Sequence, residues 1–304
     1  MSAPDQVHPT LDDLVRLQFE SHQFSLLPKQ PVESLLSGRH ASRLRGRGLT
    51  FEELREYREG DDIRSIDWRA SARLRRTHVR VYSEERERPV LFVVDQRASM
   101  FFGSARSTKA TAATEITALG AWRTLKVGDR VGAIVFGDEE TVAIKPHRSR
   151  TNVLRICHEL VRLNETLTAE APPSRGASLN EAICQAINLA PHDFLVVLVT
   201  DYHGNNKETR RLATTLAAHN DVIAFLTYDP LGIQLPSYPD LEAFDGESRI
   251  TLPHGRSFDE SYQSEFQNRL ETLKSQLAGL RIPVVPICTH DPVPDQVIAA
   301  LGNH

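Results

Sequence analysis

VLFVVDQRASM, residues 90–100, runs from five consecutive apolar residues through an aspartate into a short polar turn. Apolar, largely β-branched residues closed by a turn signal read as a strand buried on both faces. Asp95, Arg97 and Ser99 alternate along the turn, so their side chains can point the same way. The same kind of strand recurs at 194–201 (FLVVLVTD) and 222–229 (VIAFLTYD), each again ending on an aspartate, Asp201 and Asp229. Shorter strand patterns lie at 130–138, 141–146 and 282–289. Between the strands, helical patterns cover 108–126 (with Ile116, Leu119 and Trp122 on one face), 152–163, 179–190, 207–219 and about 259–279. Apolar strands separated by amphipathic helices predict an α/β fold: a doubly wound, mostly parallel sheet covered on both faces.

Working outward, composition divides the chain into three zones. Residues 1–37 hold a short helix that Thr10 can cap with Asp13, with Leu11, Leu14, Val15 and Phe19 as its apolar stripe, and then a linker broken by Pro28 and Pro31. This N-terminal helical arm is expected to dock on the main body. Residues 38–88 are crowded with arginine, contain no lysine and interleave Asp and Glu throughout. Arginine's planar fork suits bidentate carboxylate pairing, so a self-neutralising lattice packed on the main domain is expected. Trp68 is its predicted apolar anchor, with Tyr57 and Ile66 beside it, and Gly60 supplies a permissive turn. Residues 89–304 form the α/β domain.

The formal net charge of −4 gives no global attraction to nucleic acid or anionic membrane. No stretch is apolar enough to span a bilayer and no leader pattern opens the chain, so a soluble, cytoplasmic protein without membrane insertion is expected. Cys157, Cys184 and Cys288 form no Cys-x-x-Cys pair and read as reduced, buried thiols. No nucleophile elbow, zinc-protease helix, phosphate loop or dinucleotide fingerprint occurs, which points away from an enzyme.

Aspartates at the ends of apolar strands are the candidate site, because ligands of doubly wound sheets bind beyond the carboxyl ends of strands. Singly, each is as well explained by capping the turn that follows. A strand leading into Asp-x-Ser-x-Ser, a later Thr in a Gly-rich loop and a later strand ending in Asp resemble the von Willebrand factor type A fold. In that fold these oxygens hold magnesium at a metal-ion-dependent adhesion site. GRGLTFEELREYREGDDIRSIDWRASAR (46–73), followed by ERERPVLFVVD, closely resembles the hallmark of the bacterial family called domain of unknown function number 58. GDRVGAIVFGD, LVTDYHG and TYDPLGIQLP continue the resemblance, which extends over about residues 38–300.

Carried over residue by residue, the resemblance places Asp95 and Ser99 in the first and last positions of the metal turn and Asp201 at the final aspartate. Arg97 stands where a hydroxyl is needed. The loop threonine falls on Ala177, with Ser178 one residue off. Magnesium requires about six oxygens in near-octahedral geometry. Arg97, if turned inward, places a fixed positive charge against Asp95 and Asp201, each pair contributing about 4 kcal/mol of raw attraction at 4 Å and a dielectric near 20. The expected site is therefore degenerate: Asp95, Arg97, Ser99, Ser178 and Asp201 as a binding edge, with metal affinity through Asp95, Ser99 and Asp201 weak or lost and no cofactor. Arg97 can then meet a partner's carboxylate directly.

The resemblance implies a non-enzymatic adaptor working with a MoxR-type AAA+ ATPase, and with other von Willebrand A-domain proteins, in complex assembly or maturation. Two other readings remain open. Asp95, Asp201 and His203 can form a metal-dependent hydrolase, and the Arg-rich segment can bind nucleic acid, although its interleaved acids argue against that.

Overall fold

Thr10 begins the first helix, α1 (Leu11–Arg16): its hydroxyl accepts from the Asp13 amide while the Asp13 carboxylate accepts from the Thr10 amide. The computed structural model describes residues 7–26, 49–84, 88–169, 179–233, 235, 242–244, 249–252 and 256–302. Ala177 and Ser178 lie outside the described residues. Two compact units result, one of residues 1–29 with 88–304 and the other of residues 30–87. The N-terminal arm thus belongs to the larger unit. Leu14, Leu17, Phe24 and Leu26 are buried in its core, and Trp122 Nε1 donates to the Leu14 carbonyl at 2.9 Å. Phe19, expected on the apolar stripe, is instead 70% exposed, because the helix gives way to a 3-10 turn at Leu17–Phe19 and the periodicity breaks.

In the smaller unit β1 (Leu49–Glu56) pairs antiparallel with β2 (His78–Glu84), and the connection between them carries α2 (Trp68–Leu74). The turn after β1 uses Gly60 at φ +104°, a backbone conformation that side chains disfavour. The arginine–acid lattice is present as Arg55–Asp61, Arg76–Glu56 and Arg80–Asp67. Trp68 contradicts its predicted role: it is 72% exposed. The helix turns Ser71 toward β2, where the Ser71 hydroxyl accepts from the His78 amide at 2.8 Å. At about 100° per residue this leaves Arg69 and Arg73 facing away from the hairpin, while Trp68, about 60° from Ser71, stands exposed at the first position of the helix.

The larger unit is built on β3 (Val90–Asp95), β4 (Val131–Phe136), β5 (Thr141–His147), β6 (Leu195–Thr200) and β7 (Asp221–Tyr228), with an outer strand described below. Helices α3 (Lys109–Val127), α4 (Arg150–Glu165), α5 (Leu179–Leu189) and α6 (Lys207–His219) connect them. After β7 come a short antiparallel pair, β8 (Glu242–Phe244) with β9 (Arg249–Thr251), the long α7 (Arg256–Ala278), the outer strand β10 (Val284–Cys288) and α8 (Val293–Leu301). The sheet order is β10-β7-β6-β3-β4-β5, parallel except for β5, which runs antiparallel to β4. The predicted mostly parallel, doubly wound α/β architecture is therefore the observed one.

Strand alternation divides the core in two. Val90, Phe92 and Val94 of β3 face one cluster, with α1, α3, α4 and α8, while Leu91 and Val93 face the other, with α5, α6 and α7. Ile116, Leu119 and Trp122 fill the first cluster from α3. That helix approaches β3 closely at Gly120, where an added Cβ would stand 2.5 Å from the Phe92 ring. Of the three cysteines only Cys157 is buried; Cys184 lies on the exposed face of α5 and Cys288 is half-buried, which corrects the expectation for those two. Among the described residues no helix is long and apolar enough to cross a membrane.

Candidate functional site

The chain passes from β3 to β4 and β5 on one side of the sheet, then returns to place β6 on the other side of β3. Adjacent parallel strands whose connections leave in opposite directions open a crevice at their carboxyl ends. Asp95 closes β3 and Asp201 follows β6, so the two aspartates chosen from separate stretches of sequence flank that switch point. Asp229, after β7, does not join them. Its carboxylate accepts from the Ser104 amide and hydroxyl, the Thr289 hydroxyl and the Leu231 amide, which ties the 103–107 loop to the strand end. That is the structural role a strand-end aspartate often has.

Asp95 is fully buried. Arg97 folds back onto it as a fork: Nε donates to Oδ1 at 2.9 Å, and Nη2 to Oδ2 at 2.6 Å. The Arg97 amide also donates to Oδ1, and the Thr200 hydroxyl donates to Oδ2 at 2.6 Å. Arg97 Nη2 reaches the His203 carbonyl at 3.2 Å, and its guanidinium lies 5.5 Å from the centre of the Phe136 ring. Burial is the largest influence on Asp95 and pushes its carboxyl upward, against the downward pull of the Arg97 fork and charge and of Thr200. Every group facing its oxygens is an N–H or a hydroxyl, an environment made for the carboxylate form. Burial also works against the Arg97 charge, but Asp95 outweighs it and holds the guanidinium above its ordinary value.

Asp201 has a different counter-ion. Lys109 Nζ, at the first residue of α3, donates to Oδ2 at 2.7 Å, and the His203 amide donates to Oδ1 at 2.9 Å. Burial presses this carboxyl upward as well. The Lys109 charge and hydrogen bond, the His203 amide and the Arg97 charge together outweigh burial and hold Asp201 below the usual carboxylate range. Arg97 was expected to bridge both aspartates; it bonds one, and Lys109 neutralises the other.

Residues 53–274 match the family model described as "Protein of unknown function DUF58". The chain belongs to the DUF58 family. Its similar relatives include Uncharacterized protein Rv1480 of Mycobacterium tuberculosis and Uncharacterized protein Mb1516 of Mycobacterium bovis, each 27% identical over 282 residues, covering 91% of this chain and 86% of the relative. Among solved structures, BatB from Bacteroides thetaiotaomicron overlaps with a TM-score of 0.37 at 14% identity, covering 64% of this chain and 98% of that one. A von Willebrand factor type A protein from Catenulispora acidiphila overlaps with a TM-score of 0.32 at 13% identity, covering 50% and 35%. The fold assignment stands on the sheet's own order and strand directions.

The DUF58 match spans the whole strand-end edge, so the fit of a divalent cation can be judged residue by residue. Both oxygens of Asp95 and both of Asp201 already accept hydrogen bonds, and a cation would have to displace Arg97 to reach Asp95. The Ser99 hydroxyl is buried without a hydrogen-bond partner, the one oxygen of the former turn left unengaged among the described residues. Among those residues no group of three His, Cys, Asp or Glu side chains is placed to hold a metal ion. Among the described residues, those of this edge do not fit magnesium in this arrangement.

His203 joins the DUF58 edge through its main chain, the amide to Asp201 and the carbonyl to Arg97, while its side chain is exposed. The inward fork commits Nε and Nη2 of Arg97 to Asp95. Sequence reasoning missed Lys109, Thr200 and Asp138. The last of these accepts from the Ala98 amide at 2.6 Å and fixes the turn from the β4 side. Thr200 precedes Asp201 directly and was readable as a neighbour; Lys109 carries no local signal, because its partner is far away in the chain. Beside the Lys109–Asp201 pair a cavity of about 570 Å³ opens between the β7 end and α7, walled by Phe102, Tyr228, Phe266, Leu270 and Leu273.

Proposed function

We propose that this DUF58 protein is a non-enzymatic interaction module whose strand-end edge docks a partner protein without a metal ion. The observation that carries the reading is the Arg97 fork on Asp95, which puts a covalently attached cation where the type A resemblance implies magnesium. Arg97 then acts as a structural counter-ion. It holds the turn at 96–99 in shape and leaves recognition to the surfaces around it. The adjoining cavity, mainly apolar and rimmed by the half-exposed Phe102, suits an apolar side chain of the partner. The partner class follows from the family resemblance: a MoxR-type AAA+ ATPase, with the module serving as an adaptor in assembly or maturation of a larger complex.

The test mixes the purified protein with a MoxR-type ATPase from the same cell, with ATP and EDTA varied independently. Association that depends on ATP, survives EDTA and weakens in Phe102→Asp supports the reading. Association abolished by EDTA removes the metal-free edge, and no association with ATP present removes the partner. Calorimetric titration with magnesium and manganese adds a separate check: micromolar binding by the native chain contradicts a degenerate site.

A further inference from the structure

The smaller unit exposes a side chain that proteins rarely leave in water. Trp68 stands 72% exposed at the start of α2, and Ile63 and Leu74 on either side in sequence are 67% and 53% exposed. Helical spacing pairs Trp68 with Ala72 and Arg69 with Arg73 along two adjoining strips of the helix, and all four residues are exposed. This face is held still from behind. Asp67 caps the helix by accepting from the Arg69 and Ala70 amides, Arg80 secures Asp67, and Ser71 is bonded to His78 of β2.

The ion pairs of this unit sort its charges. Residues 49–84 carry eight arginines and eight acids. The described pairs Arg55–Asp61, Arg76–Glu56 and Arg80–Asp67 all join side chains of the hairpin and its turns. Arg69 and Arg73 are in none of them, and their guanidinium groups have no partner among the described residues. The stretch 49–84, neutral in total, therefore presents on α2 an exposed surface that is cationic and aromatic.

We propose that the outer face of α2 is a docking surface for an acidic protein segment that carries an apolar side chain. Trp68 contacts the apolar group, and Arg69 and Arg73 pair with carboxylates beside it. Tryptophan and arginine are among the residue types that most often dominate protein–protein contacts, and a helix capped at Asp67 and bonded to β2 at Ser71 loses little freedom on binding. Charge complementarity selects the acidic partner. A nucleic acid is the poorer fit, because a phosphate chain needs a continuous cationic track and several stacking rings. Among the described residues α2 carries one ring, and Glu59, Asp61 and Asp62 lie close by in the chain. This surface belongs to the smaller unit, whereas the strand-end edge belongs to the larger one.

The 304-residue chain provides its own reporter, since its other tryptophan, Trp122, is buried and bonded to Leu14. The probe is a synthetic amphipathic helix of glutamate and leucine, with polyglutamate and single-stranded DNA as comparators. The expected result is a saturable blue shift of Trp68 emission with the amphipathic peptide, absent with polyglutamate. Affinity should fall at least about tenfold in Arg69→Glu/Arg73→Glu and be retained in Arg69→Lys/Arg73→Lys, with unchanged circular dichroism in both. The proposal is overturned if emission does not respond, or if the charge-reversed variant binds equally well. It is also overturned if DNA binds as tightly as the peptide, or if the shift follows protein concentration alone, which would indicate self-association.

Discussion

Both units of this protein pair arginine with aspartate or glutamate, but they do so in opposite surroundings. At the strand-end edge, Asp95 has no exposed side-chain surface and Arg97 has 12%, and the contact uses two parallel N–H···O bonds. In the hairpin unit, the Arg76–Glu56 pair leaves 72% and 54% of its side chains in solvent and makes one bond. An exposed pair is screened by water and salt and contributes little. A buried pair is different: its attraction and its desolvation nearly cancel, yet removing one partner strands a charge in a medium that cannot solvate it. Similar chemistry is therefore indispensable in one region and close to optional in the other.

The sharpest way to break this contrast is Arg97→Ala. Leaving the Asp95 carboxylate alone should cost about 3–5 kcal/mol in urea unfolding, and a second change, Asp95→Asn, should restore a large part of the loss. A single variant as stable as the parent would show that the pair is not what holds the edge. Arg97→Ser sharpens the same point from the metal side. It removes the internal cation and returns an oxygen to the turn, so magnesium should raise the melting temperature of this variant and leave the parent unchanged. A parent that responds equally would mean that Arg97 never excluded the ion.

Lys109→Met comes next, with an expected loss of about 1.5–3 kcal/mol, typical of a hydrogen bond between charged groups in a half-closed site. It also carries a pH signature. Asp201 has a folded-state pKa below its unfolded value, so its contribution is complete above the ordinary carboxylate range and disappears as pH falls through the folded value. Without Lys109, the acid-side loss of stability should flatten in urea midpoints measured across that range. An unchanged acid limb would assign the shift to the His203 amide instead. At the small end, Arg76→Ala in the hairpin unit should change stability by no more than about 1 kcal/mol, and less in high salt. A larger effect would erase the distinction between the two regions.

How much of this was readable in the chain differs by element. β3, β6 and β7 were legible because five or six consecutive apolar residues have few alternatives to a strand covered on both faces. The capping box at Thr10 and Asp13 was legible because its partners are three residues apart. Arg97 on Asp95 was within reach for the same reason: two residues of separation on a turn already bring the groups together. Lys109 on Asp201 was not, since 92 residues separate them. Trp68 misled because hydrophobicity alone favours burial, whereas the residue stands exposed at the first position of the seven-residue α2.

By itself, the sequence determined the α/β alternation, the strands that end on aspartate and the arginine in the turn, because each depends on neighbours within a few residues. Only the tertiary structure decided which strand ends are adjacent, which cation neutralises which carboxylate and which arginines are left without a partner. Those outcomes depend on the order of strands across the sheet and on the direction each helix face takes. Both are set by long-range packing, and no local pattern of residues encodes them.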